Sequence, residues 1–168
     1  MTGDGSPVGA AAPEARTGPR VVVAGVGSVY RRDDGAGPAV AARCVAESPA
    51  TIDIGPIVDP LDLLGRWDGA HLAIVVDAIR SGGVPGTVGV VDLTAWSSPG
   101  VTSTHGIGVA GVLRLARALD QAPARVVVVG IEGEDFGPGT GLSPAVDAAV
   151  PAAVRSVLDM IKEVRACA

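Results

Sequence analysis

Four side chains in this sequence stand at spacings that suit joint chemistry: Asp33 and Asp34, Asp77, and His105. Two carboxylates and an imidazole from three separate segments make an oxygen, oxygen, nitrogen donor set, which suits a borderline divalent ion such as nickel or zinc. Asp33 and Asp34 are adjacent, so their side chains diverge and only one of the two is expected to bind. A plainer reading is structural. The acidic pair favours the positive end of the helix that follows it, Asp77 closes a turn, and His105 caps a helix. His71, the other histidine, begins a strand at the opposite edge and reads as a surface residue. Ser103 and Thr104 precede His105, but sequence neighbours seldom form a nucleophile and base pair.

Whether these groups meet depends on the elements that carry them. In RVVVAGVGSVYRRDDGAG, residues 20–37, Val21, Val22 and Val23 form an apolar run without alternation, as in a strand covered on both faces, and Ala24 with Gly25 is expected to end it. Gly25 and Gly27 are read as turn glycines, and Gly35 and Gly37 as allowing close backbone approach just past the acidic pair. Pro38 suits the first turn of a helix to about Glu47. Further strands are expected at residues 51–54, 72–77, 87–93 and 125–131. A short helix is expected near residues 61–67, with longer ones at 106–119 and 144–164, the last with Ser143 as N-cap. Only nine residues separate Asp77 from Thr87, too few for a parallel crossover, so the fourth strand should run antiparallel to the third.

This order predicts an α/β fold of three layers: a mixed, twisted five-stranded sheet, mostly parallel with one antiparallel strand, and helices on both faces. Asp33, Asp34, Asp53 and Asp77 then leave at the carboxyl edge of the parallel strands, where open α/β sheets place their ligands. The antiparallel strand ends at the other edge, so residues 94–104 must climb back. Eleven residues span up to ~36 Å when extended, enough to bring His105 to the acids.

The 168 residues suffice for one domain, expected over residues 20–165 after a disordered leader at 1–19 rich in Gly, Pro and Ala. With only four aromatics, the core must consist of Val, Leu, Ile and Ala. A net charge of −5 with one Arg-Arg pair gives no footprint for nucleic acid. No apolar run approaches the ~18 residues that span a bilayer, and no signal-peptide pattern opens the chain, so a soluble protein without a membrane partner is expected. Cys44 and Cys167 lack zinc-knuckle spacing, and Cys44 reads as a small core residue. Gly25-Val26-Gly27 begins a dinucleotide fingerprint, but Tyr30 stands at the third glycine position.

GVGSVYRRDDGAG, residues 25–37, resembles the GxGN-x-x-x-x-D-[DE]-G-x-G signature of the hydrogenase maturation proteases, which trim the C-terminal extension from the large subunit of [NiFe] hydrogenases. The likeness continues in order through IVVDAI (74–79), PGTV (85–88), STHGIGV (103–109) and VVVVGIEGEDFGPGTGLSPAV (126–146). It implies a cytoplasmic, monomeric endopeptidase whose partner is a [NiFe] hydrogenase large-subunit precursor. The family's metal-contacting positions fall on Asp34, Asp77 and His105, which the resemblance makes the catalytic set. They would engage nickel already installed in the precursor, making cleavage conditional on metal insertion; zinc or another divalent ion is an in vitro substitute. Gly25, Gly27, Ser28, Asp33, Gly35, Gly37 and Asp53 would form the turn and substrate rim. Three positions depart from the pattern: Ser28 stands for Asn, Asp53-Ile54-Gly55-Pro56 for DGGT, and Gly133, after Glu132, for Pro. The alternatives are a nickel-checkpoint or chaperone module that binds without cutting, and a nucleotide-binding α/β domain.

Overall fold

The computed structural model describes residues 18–48, 52–94 and 108–167. His105, its neighbours Ser103 and Thr104, and the expected leader apart from Gly18 and Pro19 lie outside that range.

Five strands form one sheet: β1 (Val21–Val26), β2 (Ile52–Ile57), β3 (Leu72–Ile79), β4 (Val88–Asp92) and β5 (Arg125–Glu132), in the order β2-β1-β3-β5-β4. β1, β2, β3 and β5 are parallel, and β4 is antiparallel to β5. The unbroken apolar runs of β1 and β3 are buried on both faces, so alternate side chains feed two cores. Val21, Val23, Ile74, Val76, Val127 and Val129 pack under α1 (Ala36–Glu47) and α3 (Pro144–Ala166). On the other face Val22, Ala24, Val26, Ala73 and Val75 pack with Trp67, a 3₁₀ turn at Pro60–Leu63 and α2 (Val109–Ala118). Cys44 belongs to the first core, where burial pushes its thiol up to about 12. No described helix is long and apolar enough to cross a membrane.

Three sequence expectations are corrected. β1 does not end at Ala24 and Gly25 but continues to Val26. Gly25 lies inside the strand because α1 presses on it there: a Cβ on Gly25 would stand 2.5 Å from the Gly37 carbonyl oxygen, and one on Gly37 would strike the carbonyl oxygens of Val26 and Val76. The two glycines are contact points between helix and sheet, and the turn falls to Gly27, whose φ is +122°. β2 likewise runs to Ile57, so Asp53, opposite Val23, sits within the strand and not at the carboxyl edge. Gly55, at φ +82°, accompanies the slip in register between β1 and β2, and Pro56 is tolerated because β2 is an edge strand.

β4, although antiparallel in direction to β3, pairs with β5, which inserts between them. The connection after β3 therefore crosses the carboxyl end of β5. Glu132, the last residue of β5, ties it down: its carboxylate accepts hydrogen bonds from the amides of Ser81 (2.8 Å), Gly82 (3.0 Å) and Gly83 (3.2 Å) and from the Ser81 hydroxyl (2.7 Å).

Candidate active site

A 3₁₀ turn at Arg32–Gly35 joins β1 to α1 and carries both acids. Asp33 is 0% exposed, Asp34 1% and Asp77 6%, so none can shed its charge into water, and the environment of each decides what it does.

Asp33 is fully engaged. Its carboxylate accepts from the backbone amides of Glu134 (3.0 Å), Asp135 (2.9 Å) and Ser143 (2.6 Å), and from the Ser143 hydroxyl (3.0 Å). Burial works against its charge, but these bonds outweigh burial and hold its carboxyl below the usual range. The helix it serves is not α1, as its position in sequence suggests, but α3, whose first residue follows Ser143. Ser143 is the N-cap of α3 by position, yet its hydroxyl is committed to Asp33 and caps nothing in α3.

Asp34 faces the other way. Its Oδ2 accepts from the Ser28 amide at 2.8 Å, across a turn in which a Cβ on Gly27 would strike the Asp34 carbonyl oxygen. Asp77 lies six rungs along β3, opposite Gly130 of β5. By alternation it shares the α2 side of the sheet with Ala73 and Val75. Burial first, and the charge of Asp34 second, push its carboxyl up to about 7. Its Oδ1 is buried and accepts no hydrogen bond among the described residues. The structure thus separates three acids that look alike in sequence. Asp33 is turned to the 134–143 segment, whereas Asp34 lies beside Asp77 and helps to push its carboxyl up, an arrangement suited to a cation.

Among the described residues no group of three His, Cys, Asp or Glu side chains is placed to hold a metal. The third expected ligand, His105, lies outside them. The direction of α2 bears on where it leads: Arg117, near the carboxyl end, donates to the Leu93 carbonyl oxygen at the lower edge (3.3 Å), so the amino end at Gly108 points toward the carboxyl edge of the parallel strands.

The remaining rim positions divide. Gly27 and Ser28 form the turn beneath Asp34. Gly35 packs on the Val29 backbone, while Gly25 and Gly37 seat α1. Ser28 contributes its amide to Asp34, and its hydroxyl accepts from the Tyr30 amide at 3.3 Å. Gly133 has a packing role: its N–H donates to the Ile79 carbonyl oxygen (2.9 Å) and the Phe136 ring fills the space a Cβ would take. A proline could make neither arrangement. Sequence reading undervalued Glu132 and Ser143. The signal for Glu132 was a charge closing an apolar strand; Ser143 carried none beyond its helix start.

The amides that would cradle a phosphate are already used. Gly27 N–H donates to the Ile57 carbonyl oxygen (2.8 Å) and Ser28 N–H to Asp34, so a carboxylate occupies the place a dinucleotide fold gives to phosphate. A cleft of about 580 Å³, lined by Arg32, Asp135, Thr140, Leu142 and Ser143, lies on the Asp33 side of the turn and not over Asp34 and Asp77. Beside it Arg32 adopts φ +48°, uncommon for a residue with a side chain, and pairs with Asp135 at 3.3 Å.

The hydrogenase maturation protease family model matches residues 47–160, more than half of the chain. The chain belongs to the hydrogenase maturation protease family. It is 29% identical over 155 residues to the hydrogenase 2 maturation protease of Escherichia coli strain K12, covering 86% of this chain and 92% of that protein. The fold is similar to the hydrogenase maturating endopeptidase HybD from E. coli (TM-score 0.70, 26% identity, 86% of this chain and 93% of that one). It is also similar to the [NiFe] hydrogenase maturation protease HybD from Thermococcus kodakarensis (TM-score 0.65, 26% identity, 84% and 98%). As a member of this family the chain is a peptide hydrolase. The glycine and acid block at residues 25–37 precedes the stretch matched by the family model.

Proposed function

We propose that this family member removes the C-terminal extension of a [NiFe] hydrogenase large-subunit precursor once nickel has been inserted, reading the precursor's nickel with Asp34, Asp77 and His105. The observation that carries the proposal is the buried Asp34 and Asp77 pair, held together at the carboxyl edge of the sheet although the two charges repel. A divalent ion brought by the substrate relieves that repulsion, so a loaded precursor is favoured over an empty one. His105, three residues before the amino end of α2, supplies the third donor. Its imidazole suits nickel as well as zinc, and zinc would substitute in vitro.

Peptide hydrolysis requires a base to take a proton from the attacking water and an acid to return one to the departing amide nitrogen. A carboxyl poised near neutrality can do both in turn, and Asp77 is such a group. Asp34 is fixed beside it by the Ser28 amide. The nickel belongs to the substrate and positions the scissile segment against these groups. The enzyme is proposed to act as a monomer in the cytoplasm.

Precursor length on a gel, before and after mixing with this protein, tests the proposal. Shortening of the nickel-loaded precursor alone is expected. Stable binding of an uncut precursor would instead make the chain a nickel checkpoint or chaperone module.

A further inference from the structure

Holding Asp34 against Asp77 is unfavourable in itself, so something must fix the turn that carries Asp34. On one side the turn rests on β1 through the Ser28 amide and the Gly27 contact. On the other side the Arg32 amide donates to the Gly139 carbonyl oxygen (3.0 Å), the Gly139 amide donates to the Tyr30 carbonyl oxygen (2.9 Å), and Arg32 pairs with Asp135 (3.3 Å). All of these lie at the exposed rim, and the buried ties run through Asp33. Its carboxylate collects four hydrogen bonds from Glu134, Asp135 and Ser143, its amide donates to the Asp135 carbonyl oxygen (3.0 Å), and its Cβ would lie 3.3 Å from a Cβ on Gly133. The partners are more than 100 residues away in sequence, so the bonds join the β1 turn to the segment between β5 and α3.

We infer that Asp33 is a positioning residue: by binding the 134–143 segment it locks the 3₁₀ turn and sets the Asp34 carboxylate at the Ser28 amide, facing Asp77. It is not a catalytic residue, because its carboxylate is engaged by four hydrogen bonds from the 134–143 segment and not by the pair. The inference deepens the proposed function and rests on it for the consequence in catalysis. The geometric part stands alone. Asn is a poor replacement, since its amide nitrogen would face backbone donors and at least one of them would lose its acceptor.

The test uses the full chain carrying Asp33→Asn or Ser143→Ala. The second variant removes only the hydroxyl bond and leaves α3 uncapped no more than before, because that hydroxyl caps nothing there. The readout is the amide resonance of Ser28 in a ¹H–¹⁵N spectrum, which reports the hydrogen bond to Asp34. In both variants the spectrum should stay dispersed while the Ser28 resonance moves upfield, further in Asp33→Asn. With nickel-loaded precursor, kcat should fall by roughly tenfold to a hundredfold for Asp33→Asn and severalfold for Ser143→Ala, with KM within about twofold, as expected of a misplaced reacting group. An unmoved Ser28 resonance in a folded variant overturns the inference, and if Asp33→Asn fails to fold, Ser143→Ala decides alone. Should the native chain cut no precursor, the proposed function fails while the Ser28 resonance still tests the clamp.

Discussion

Asp77 is buried beside Asp34, and burial first and that neighbouring charge second raise its carboxyl pKa to about 7, from an ordinary value of 3.8. The folded chain therefore retains a proton on Asp77 through a range in which the unfolded chain has released it. Stability must fall as pH rises from about 4 to about 7, and level off above, by roughly 4 kcal/mol from this group. Asp77→Asn removes the effect. Urea unfolding should find the variant more stable than the parent at pH 8, by on the order of 2–4 kcal/mol, and nearly equal to it at pH 4. A variant less stable at pH 8 would contradict the repulsion.

The sign is opposite for Glu132, whose carboxyl burial opposes but four hydrogen bonds hold below the usual range. Its contribution is present above the unfolded carboxyl pKa and is lost as pH falls through the lower folded value. Glu132→Gln should cost about 1.5–3 kcal/mol at pH 7 and progressively less in acid. The loss should appear as faster hydrogen exchange at Ser81, Gly82 and Gly83.

The contact between α1 and the sheet makes a steric prediction. Gly25→Ala places a methyl group 2.5 Å from the Gly37 carbonyl oxygen and should destabilise by roughly 1–3 kcal/mol or prevent folding. Gly89→Ala, in β4, meets nothing within 4 Å and should change stability by no more than about 0.5 kcal/mol. Equal midpoints in urea for the two variants would refute the close approach.

If Asp34 and Asp77 together take up a cation, nickel should stabilise the isolated chain, by about 2.7 kcal/mol at a free concentration one hundred times its Kd. Thermal melts should show the rise for the parent and not for Asp34→Asn or Asp77→Asn. ATP and NAD should produce none, because the Gly27 and Ser28 amides are already bonded.

Much of this was legible in the sequence, for identifiable reasons. Runs such as Leu72–Val76 and Val126–Val129 announce strands covered on both faces, and the nine residues after Asp77 announce an antiparallel neighbour. The partner of β4 was not legible, because insertion of β5 between β3 and β4 is a pairing of distant segments. Gly25 was misread as a turn for a similar reason: a glycine that admits a helix looks in sequence like one that ends a strand. At the site, topology could bring Asp33, Asp34 and Asp77 to one edge of the sheet, but nothing local separates Asp33 from Asp34. Their difference lies in Glu134, Asp135 and Ser143, which only the fold brings within hydrogen-bonding distance.

The most direct test is intact-mass spectrometry of a hydrogenase large-subunit precursor, nickel-loaded and nickel-free, after incubation with the parent chain and with Asp34→Ala, Asp77→Ala and His105→Ala. Loss of the C-terminal extension is expected only for the loaded precursor with the parent chain, and each substitution should leave the precursor at full mass. Cleavage of the nickel-free precursor, or undiminished cleavage by the three variants, would contradict a site that reads the substrate's metal through these side chains.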